Sequence, residues 1–260
     1  MNFSTHIHTN YSPCAVTTPQ QLVDLAEERL STTESPGTIV VCDHNVVAGG
    51  LEAREIAKNH NLNVKLGTEA TTEFGEIGVK FLSDIECERV MGVKNNSNVF
   101  NFLQLKKLID GIRKEGKSSM LVDLHHPFDS VNKKRGFNFE GILKAGIFKN
   151  RAELMAWFDF TEVNGACVNI KETRGALELA LRYNIPIVSS DDAHYPDQIG
   201  RYYTETDHDD AREAIVDNND LTIFGPEGID YRLAKYYRLR AGVRKRVSKL
   251  FKWLTKTPSK

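Results

Sequence analysis

Short apolar runs rich in Val, Ile and Phe recur along the chain, separated by segments whose apolar residues return every three or four positions. The runs at 3–7, 38–42, 63–66, 78–82, 119–124, 158–163, 185–189 and 221–224 read as β-strands. Between them the spacing predicts helices near 18–30, 50–59, 101–115, 151–157 and 173–183, and a long last one over 230–254. The helix after Thr18 carries its own start signal: a threonine to cap it, Pro19 in the first turn, and Gln21 to complete a capping box. Leu22, Leu25, Ala26 and Leu30 give it an apolar face. Segments 95–98 and 129–138 read as loops.

Strands alternating with helices imply parallel pairing through right-handed crossovers. Seven or so such units over this length suit a (β/α) barrel better than an open doubly wound sheet, which is the runner-up. The fold class expected is therefore α/β.

The ends of the strands carry the chemistry. The first ends in His6-Ile7-His8, and residues two apart on a strand share a face. Later ends carry Asp43-His44-Asn45, Gly67-Thr68-Glu69, His125-His126-Pro127, Glu162-Val163-Asn164 and Asp191-Asp192-Ala193-His194. In a parallel barrel these ends open onto one face, where active sites sit. Imidazoles and carboxylates converging there match zinc, manganese or iron. Each piece alone has an ordinary explanation. Asp-His-Asn makes a turn, paired aspartates cap a helix, and one histidine of a pair can be a core residue bonded to a carbonyl. Their shared placement is what argues for metal.

Composition narrows the picture further. The 260 residues are 40% hydrophobic and 27% charged, which excludes a disordered chain. The net charge of -1 hides an asymmetry: eleven of the 34 Lys and Arg, and none of the Asp and Glu, follow Asp230. Residues 1–231 thus carry about −12, and the tail is strongly basic. Four separated cysteines, no secretory leader pattern and no apolar run of spanning length make the cytoplasm the expected compartment. No P-loop, dinucleotide fingerprint or nucleophile elbow is present.

The motifs His6-Ile7-His8-Thr9 with Tyr11-Ser12, Cys42-Asp43-His44-Asn45, Gly67-Thr68-Glu69, His126-Pro127 and Ser190-Asp191-Asp192-Ala193-His194 resemble, in order and spacing, the PHP (polymerase and histidinol phosphatase) domain family. The resemblance covers about residues 1–205. It implies a distorted seven-stranded (β/α), TIM-like barrel with a two- or three-metal phosphoesterase site. It assigns His6, His8, Glu69 and Asp192 to one ion, lets Glu69 reach a second that His126 also binds, and gives His44 and His194 to a third. Asp192 is preferred to Asp191, and His126 to His125, because the family pattern is Asp-Ala-His and His-Pro. Thr72 to Ile77 resembles a branch in which an acid-rich segment leads into the next strand.

Two departures matter. A family ligand carboxylate falls at Cys14, and a thiolate there favours zinc or iron over manganese; the alternative is a small buried thiol. A histidine common on the strand after Glu69 is missing, and Glu73 is a candidate substitute.

The expected organisation is a barrel over residues 1–228 and a basic amphipathic helix and tail over 229–260. The expected activity is hydrolysis of a phosphoester by metal-activated water, with two or three divalent ions (Zn, Mn or Fe). His194, Asp192 or His126 would carry the proton, and Lys134, Arg135 and Arg201 would neutralise the substrate phosphate. Glu162 and Asn164 would orient ligands rather than bind metal. The substrate expected is a phosphorylated small molecule, a nucleotide or a nucleic-acid 5′ end, and the tail would pack on the acidic body or contact a nucleic acid or a membrane surface. Competing readings are a non-catalytic PHP module of a larger assembly, a nuclease whose basic tail holds nucleic acid, and a hydrolase of C–N bonds.

Overall fold

The structure, a computed structural model, describes residues 1–95, 97–116, 118–128, 136–164, 170–218 and 220–225. Strand β1 (Asn2–Ile7) leads through a compact loop to α1 (Pro19–Leu30), which starts with the expected capping box of Thr18 and Gln21. Then follow β2 (Gly37–Val41), α2 (Ala48–Ala57), β3 (Leu62–Thr72) and β4 (Gly75–Leu82). Helices α3 (Asp84–Gly92) and α4 (Phe102–Lys114) precede β5 (Leu121–Leu124). The chain continues with α5 (Phe139–Lys144), α6 (Arg151–Met155), β6 (Phe160–Asn164), α7 (Ile170–Tyr183) and β7 (Ile187–Ser190). A 3-10 turn at Pro196–Gln198, β8 (Tyr203–Glu205), α8 (Ala211–Asp217) and β9 (Thr222–Phe224) complete the described elements.

The strands form one mixed sheet in the order β7-β6-β5-β4-β3-β2-β1-β8-β9. The sheet curls back on itself: Ile7 bridges Ala193 in parallel, and the His8 N–H donates to the Ala193 carbonyl at 2.9 Å. This is a near-closed, distorted (β/α) barrel of the expected type. One expectation is corrected. The pairing is not uniformly parallel, since β4 runs antiparallel to both β3 and β5. Only Glu73 and Phe74 separate β3 from β4, too short a connection for a crossover, so a hairpin is the one pairing open to it. Gly75, at φ +118°, makes its turn. Helix α3 was not expected from periodicity, although Ser83 and Glu86 form a capping box at its start.

Alternation along the strands sorts the side chains. Ile39 and Val41 of β2 pack with Leu22, Ala26 and Leu30 of α1. Val40 instead meets Phe3 of the neighbouring β1, Phe160 and Val188 from strands farther round the barrel, and Ala211 and Ile215 of α8. An apolar layer thus closes one end of the barrel interior. A third cluster packs α3 to α6 onto β4 and β5 through Ile77, Val79, Val122, Phe102, Leu105 and Trp157. No helix among the described residues is long and apolar enough to cross a membrane. The helix expected over 230–254, and with it the basic tail 229–260, lies outside the described residues.

Candidate metal centre

At the other end of the interior, six histidines and several acids are gathered with almost no exposure. His6 and His8 leave the end of β1 on one face. Their Nε2 atoms lie 3.1 Å apart. The His8 Nε2 is 3.1 Å from Asp192 Oδ1 and 3.3 Å from Glu69 Oε2, and the His6 Nε2 is 3.4 Å and 3.8 Å from the same two oxygens. Metal–ligand bonds of about 2.0–2.1 Å place neighbouring donor atoms about 2.9–3.4 Å apart around an ion, and four of these five separations fall in that range.

The tautomers point the same way. The His6 Nδ1–H is donated to Glu162 Oε2 at 2.9 Å, and the His8 Nδ1–H to Ser12 Oγ at 3.1 Å. Ser12 in turn donates to Asp43 Oδ1 at 2.6 Å, and Asp43 is also held by the amide and hydroxyl of Thr9. With both outer nitrogens acting as donors, two imidazole lone pairs face one another at 3.1 Å. Such a pair repels unless a proton or a metal cation lies between. The donor set therefore fits a divalent ion.

Glu69, from β3, serves two directions. Its Oε2 is 2.9 Å from His44 Nδ1, and its Oε1 is 2.9 Å from His126 Nε2. Glu76 of β4 brings its carboxylate within 3.8 Å of His44 and 3.9 Å of His126. His8, His44 and His194 offer a further converging set, and so do His44, Glu69 and Glu76. The His194 ring is held by its Nδ1–H, which donates to the Asp192 carbonyl at 2.9 Å. Asp192 sits at φ +46° and Asn45 at φ +58°, so both flanks of the centre use left-handed backbone.

Electrostatics split the cluster: burial and the neighbouring His194 and His44 hold His8 well below its ordinary value, while the acids act the other way on His6 and His44. Burial opposes a charged His6, but Asp192 and Glu162 raise its pKa to about 10. His44 is likewise raised well above its ordinary value by Glu69 and Cys14 against the effect of burial. Burial would push the Cys14 thiol up, yet His194 and His44, to which it is hydrogen-bonded, bring it well below the usual thiol range. Cys14 thus lies beside the His44 and His194 pair.

His6, His8, Glu69, Asp192, His44, His126, His194 and Cys14 are therefore brought together. His125 points elsewhere: its Nδ1–H is shared by Asp123 Oδ2 at 2.8 Å and Glu162 Oε2 at 3.1 Å. Asp191 is an anchor whose carboxylate accepts the amides of Gly200, Arg201 and Tyr202. Arg201 has an exposed side chain at that turn. Lys134 and Arg135 lie outside the described residues, as do Lys133 and the side chain of Asn164. Glu73 is corrected. It caps α4, accepting the Phe102 amide at 2.9 Å, and takes no part in the centre. Glu76 is the acid from this segment that reaches the histidines. Its signal was in the sequence, since Glu76, Gly78 and Lys80 alternate with Ile77, Val79 and Phe81 on β4, marking a polar inner face.

Residues 172–218 match a family described as PHP-associated. An uncharacterized protein of Methanocaldococcus jannaschii is 25% identical over 146 residues, 52% of this chain and 73% of that protein. Among solved structures, PsfC of Pseudomonas syringae superposes with a TM-score of 0.59 at 12% identity, over 95% of this chain and 98% of its own. A two-domain Bacteroides vulgatus protein containing a predicted PHP-like metal-dependent phosphoesterase superposes with a TM-score of 0.57 at 17% identity, covering 86% of this chain. This chain spans only 64% of the length of that protein. The chain thus matches the PHP-associated family over residues 172–218 and shares the barrel fold of these solved structures.

Proposed function

We propose that the chain is a metal-dependent phosphoester hydrolase whose ions are held by His6, His8, Glu69 and Asp192, by Glu69, Glu76 and His126, and by Cys14, His44 and His194. The observation that carries this reading is the set of four atoms, His6 Nε2, His8 Nε2, Glu69 Oε2 and Asp192 Oδ1, with four of their five measured separations at ligand-to-ligand distance. Bound divalent ions would supply Lewis acidity toward phosphoryl oxygens and a water acidic enough to attack at neutral pH.

The chain's own residues do the rest. Glu162 and the Ser12–Asp43 pair hold the His6 and His8 rings so that their Nε2 atoms face the centre. Glu69 spans two donor sets with its two oxygens, which fixes their spacing. His194, oriented by the bond from its Nδ1–H to the Asp192 carbonyl, turns its Nε2 toward the centre as a ligand, and protonation of the leaving oxygen falls to solvent water. Arg201, Lys134 and Arg135 neutralise the substrate phosphate, and the basic segment 229–260 forms an appendage to the barrel of residues 1–228. Cys14, Cys42 and Cys87 are free and buried, which supports a reducing compartment such as the cytoplasm.

The test is a panel of phosphomonoesters, nucleotides and 5′-phosphorylated oligonucleotides, assayed with Mn²⁺ and with Zn²⁺. Release of phosphate or nucleotide is expected. A chain that binds no divalent ion and turns over nothing on the panel overturns the reading. Oligonucleotide turnover that falls steeply with added salt assigns the basic tail to a nucleic-acid substrate. Turnover of small phosphomonoesters alone removes that role.

A further inference from the structure

Beneath the metal centre lies a lysine that the reaction above does not use. Lys80 is fully buried on the inner face of β4, four residues from Glu76 on the same side of the strand. Its ammonium rests over the Phe160 ring at 5.1 Å and bonds two carboxylates, Asp123 Oδ2 at 3.1 Å and Glu162 Oε1. A lysine taken out of water is stabilised only by such pairing, so the question is what the pairing does.

The two oxygens of Glu162 have separate duties. Oε1 is fixed by Lys80 and by the Thr5 hydroxyl at 2.5 Å. Oε2 accepts the Nδ1–H of His6 at 2.9 Å and that of His125 at 3.1 Å. His125 stacks on His6 with ring centroids 3.9 Å apart, and its Nδ1–H also reaches Asp123. Gly78 leaves room for this crossing: a Cβ there would lie 1.8 Å from Asp123 Oδ1 and 2.5 Å from the His125 ring. Lys80, Asp123, Glu162 and His125 thus form one braced unit behind the His6 ring.

We propose that Lys80 is a positioning residue for the metal centre, acting through Glu162 to hold His6 with its Nε2 toward the ion. This rests on the reading of the centre as a metal site. A carboxylate pinned at one oxygen presents the other at a fixed place and angle. Without Lys80, Oε1 keeps only the Thr5 hydroxyl, so Glu162 turns more readily about its terminal torsion and the acceptor that sets the tautomer and tilt of the His6 ring loosens.

The experiment compares wild type, Lys80→Met, Glu162→Gln and the double variant as full-length protein. Each is stripped with a chelator and titrated with Mn²⁺ and with Zn²⁺, alongside its melting temperature and the Nδ1–H proton resonance of His6. Lys80→Met is expected to weaken the tightest ion about 10–100-fold, as losing an outer-shell partner does, and to add no further loss in the Glu162→Gln background. It is also expected to shift or abolish the His6 resonance. Ion affinity equal to wild type, whatever the melting temperature does, overturns the proposal, and so do additive losses. If Lys80→Met does not fold, the charge-balanced pair Lys80→Met with Asp123→Asn takes its place under the same expectations. A wild-type chain that binds neither ion defeats the phosphoesterase reading instead. The His6 resonance then decides on Lys80 alone: one unchanged in Lys80→Met overturns its positioning role.

Discussion

At Cys14 a soft sulfur stands beside His44 and His194, where the family resemblance places a carboxylate. Thiolate and imidazole together select zinc or another thiophilic ion over manganese. Cobalt-substituted protein is therefore expected to show a thiolate-to-cobalt charge-transfer absorption that Cys14→Ser removes, and Cys14→Asp is expected to move the preference toward manganese. A cobalt spectrum that Cys14→Ser leaves unchanged would exclude the sulfur from the ligand set. Glu76 gives a second expectation at this scale. Its carboxylate is shared between His44 and His126, so Glu76→Ala should lower the bound ions by one equivalent in elemental analysis and leave the ion of His6 and His8 in place. Equal metal content in both proteins would remove Glu76 from the centre. The histidines, Glu69 and Asp192 were legible because each sits within a short local motif at the end of a strand. Glu76 was legible only as one of a set of alternating polar positions: the pattern marks a polar face on β4 but does not say whether that face, or Glu73, meets the histidines. The hairpin decides that by sending Glu73 to the start of α4.

At the scale of elements, β4 is the informative strand. It has the sequence of an inner barrel strand, yet runs against its neighbours because the two residues before Gly75 allow only a hairpin. Its inner face must accommodate the side chains of Asp123 and His125 crossing from β5, and Gly78 is what permits it. Gly78→Ala is expected to cost about 1–3 kcal/mol in urea unfolding, with the loss expected to fall on the Lys80 brace as well. A variant as stable as wild type would show that β4 and β5 can part without harm. Helix α1 behaves differently, since its start is written locally: Thr18→Ala should cost about 1 kcal/mol in the same measurement. Capping signals and apolar periodicity made α1, α4 and α7 readable in advance. Strand direction was not, because a hairpin and a crossover leave the same alternation in the strands they join.

Over the whole molecule, the strands carry their charges inward at one end of the barrel and their apolar residues inward at the other. Phe3, Val40, Phe160 and Val188 close the base, Lys80 and its carboxylates occupy the middle, and the histidines line the mouth. Ions held there bind the folded chain alone, so they add to its stability by mass action. At a free ion concentration near 100 times Kd this is about 2.7 kcal/mol. Removing the ions with a chelator should then lower the melting temperature by roughly 5–10 °C, and restoring Zn²⁺ should recover it. A melting temperature indifferent to chelator would mean that the cluster holds no ion tightly.

The sequence by itself determined the α/β alternation, the placing of ligand-type residues at strand ends and the acidic balance of the first 231 residues, because each depends on periodicity, local motif or count. Only the tertiary structure decided which nitrogen meets which oxygen: Glu76 rather than Glu73 in the centre, and Lys80 behind His6. Those pairings join residues as many as 184 positions apart, as His8 and Asp192 are. Contacts of that kind are set by how the barrel closes, which no single segment encodes.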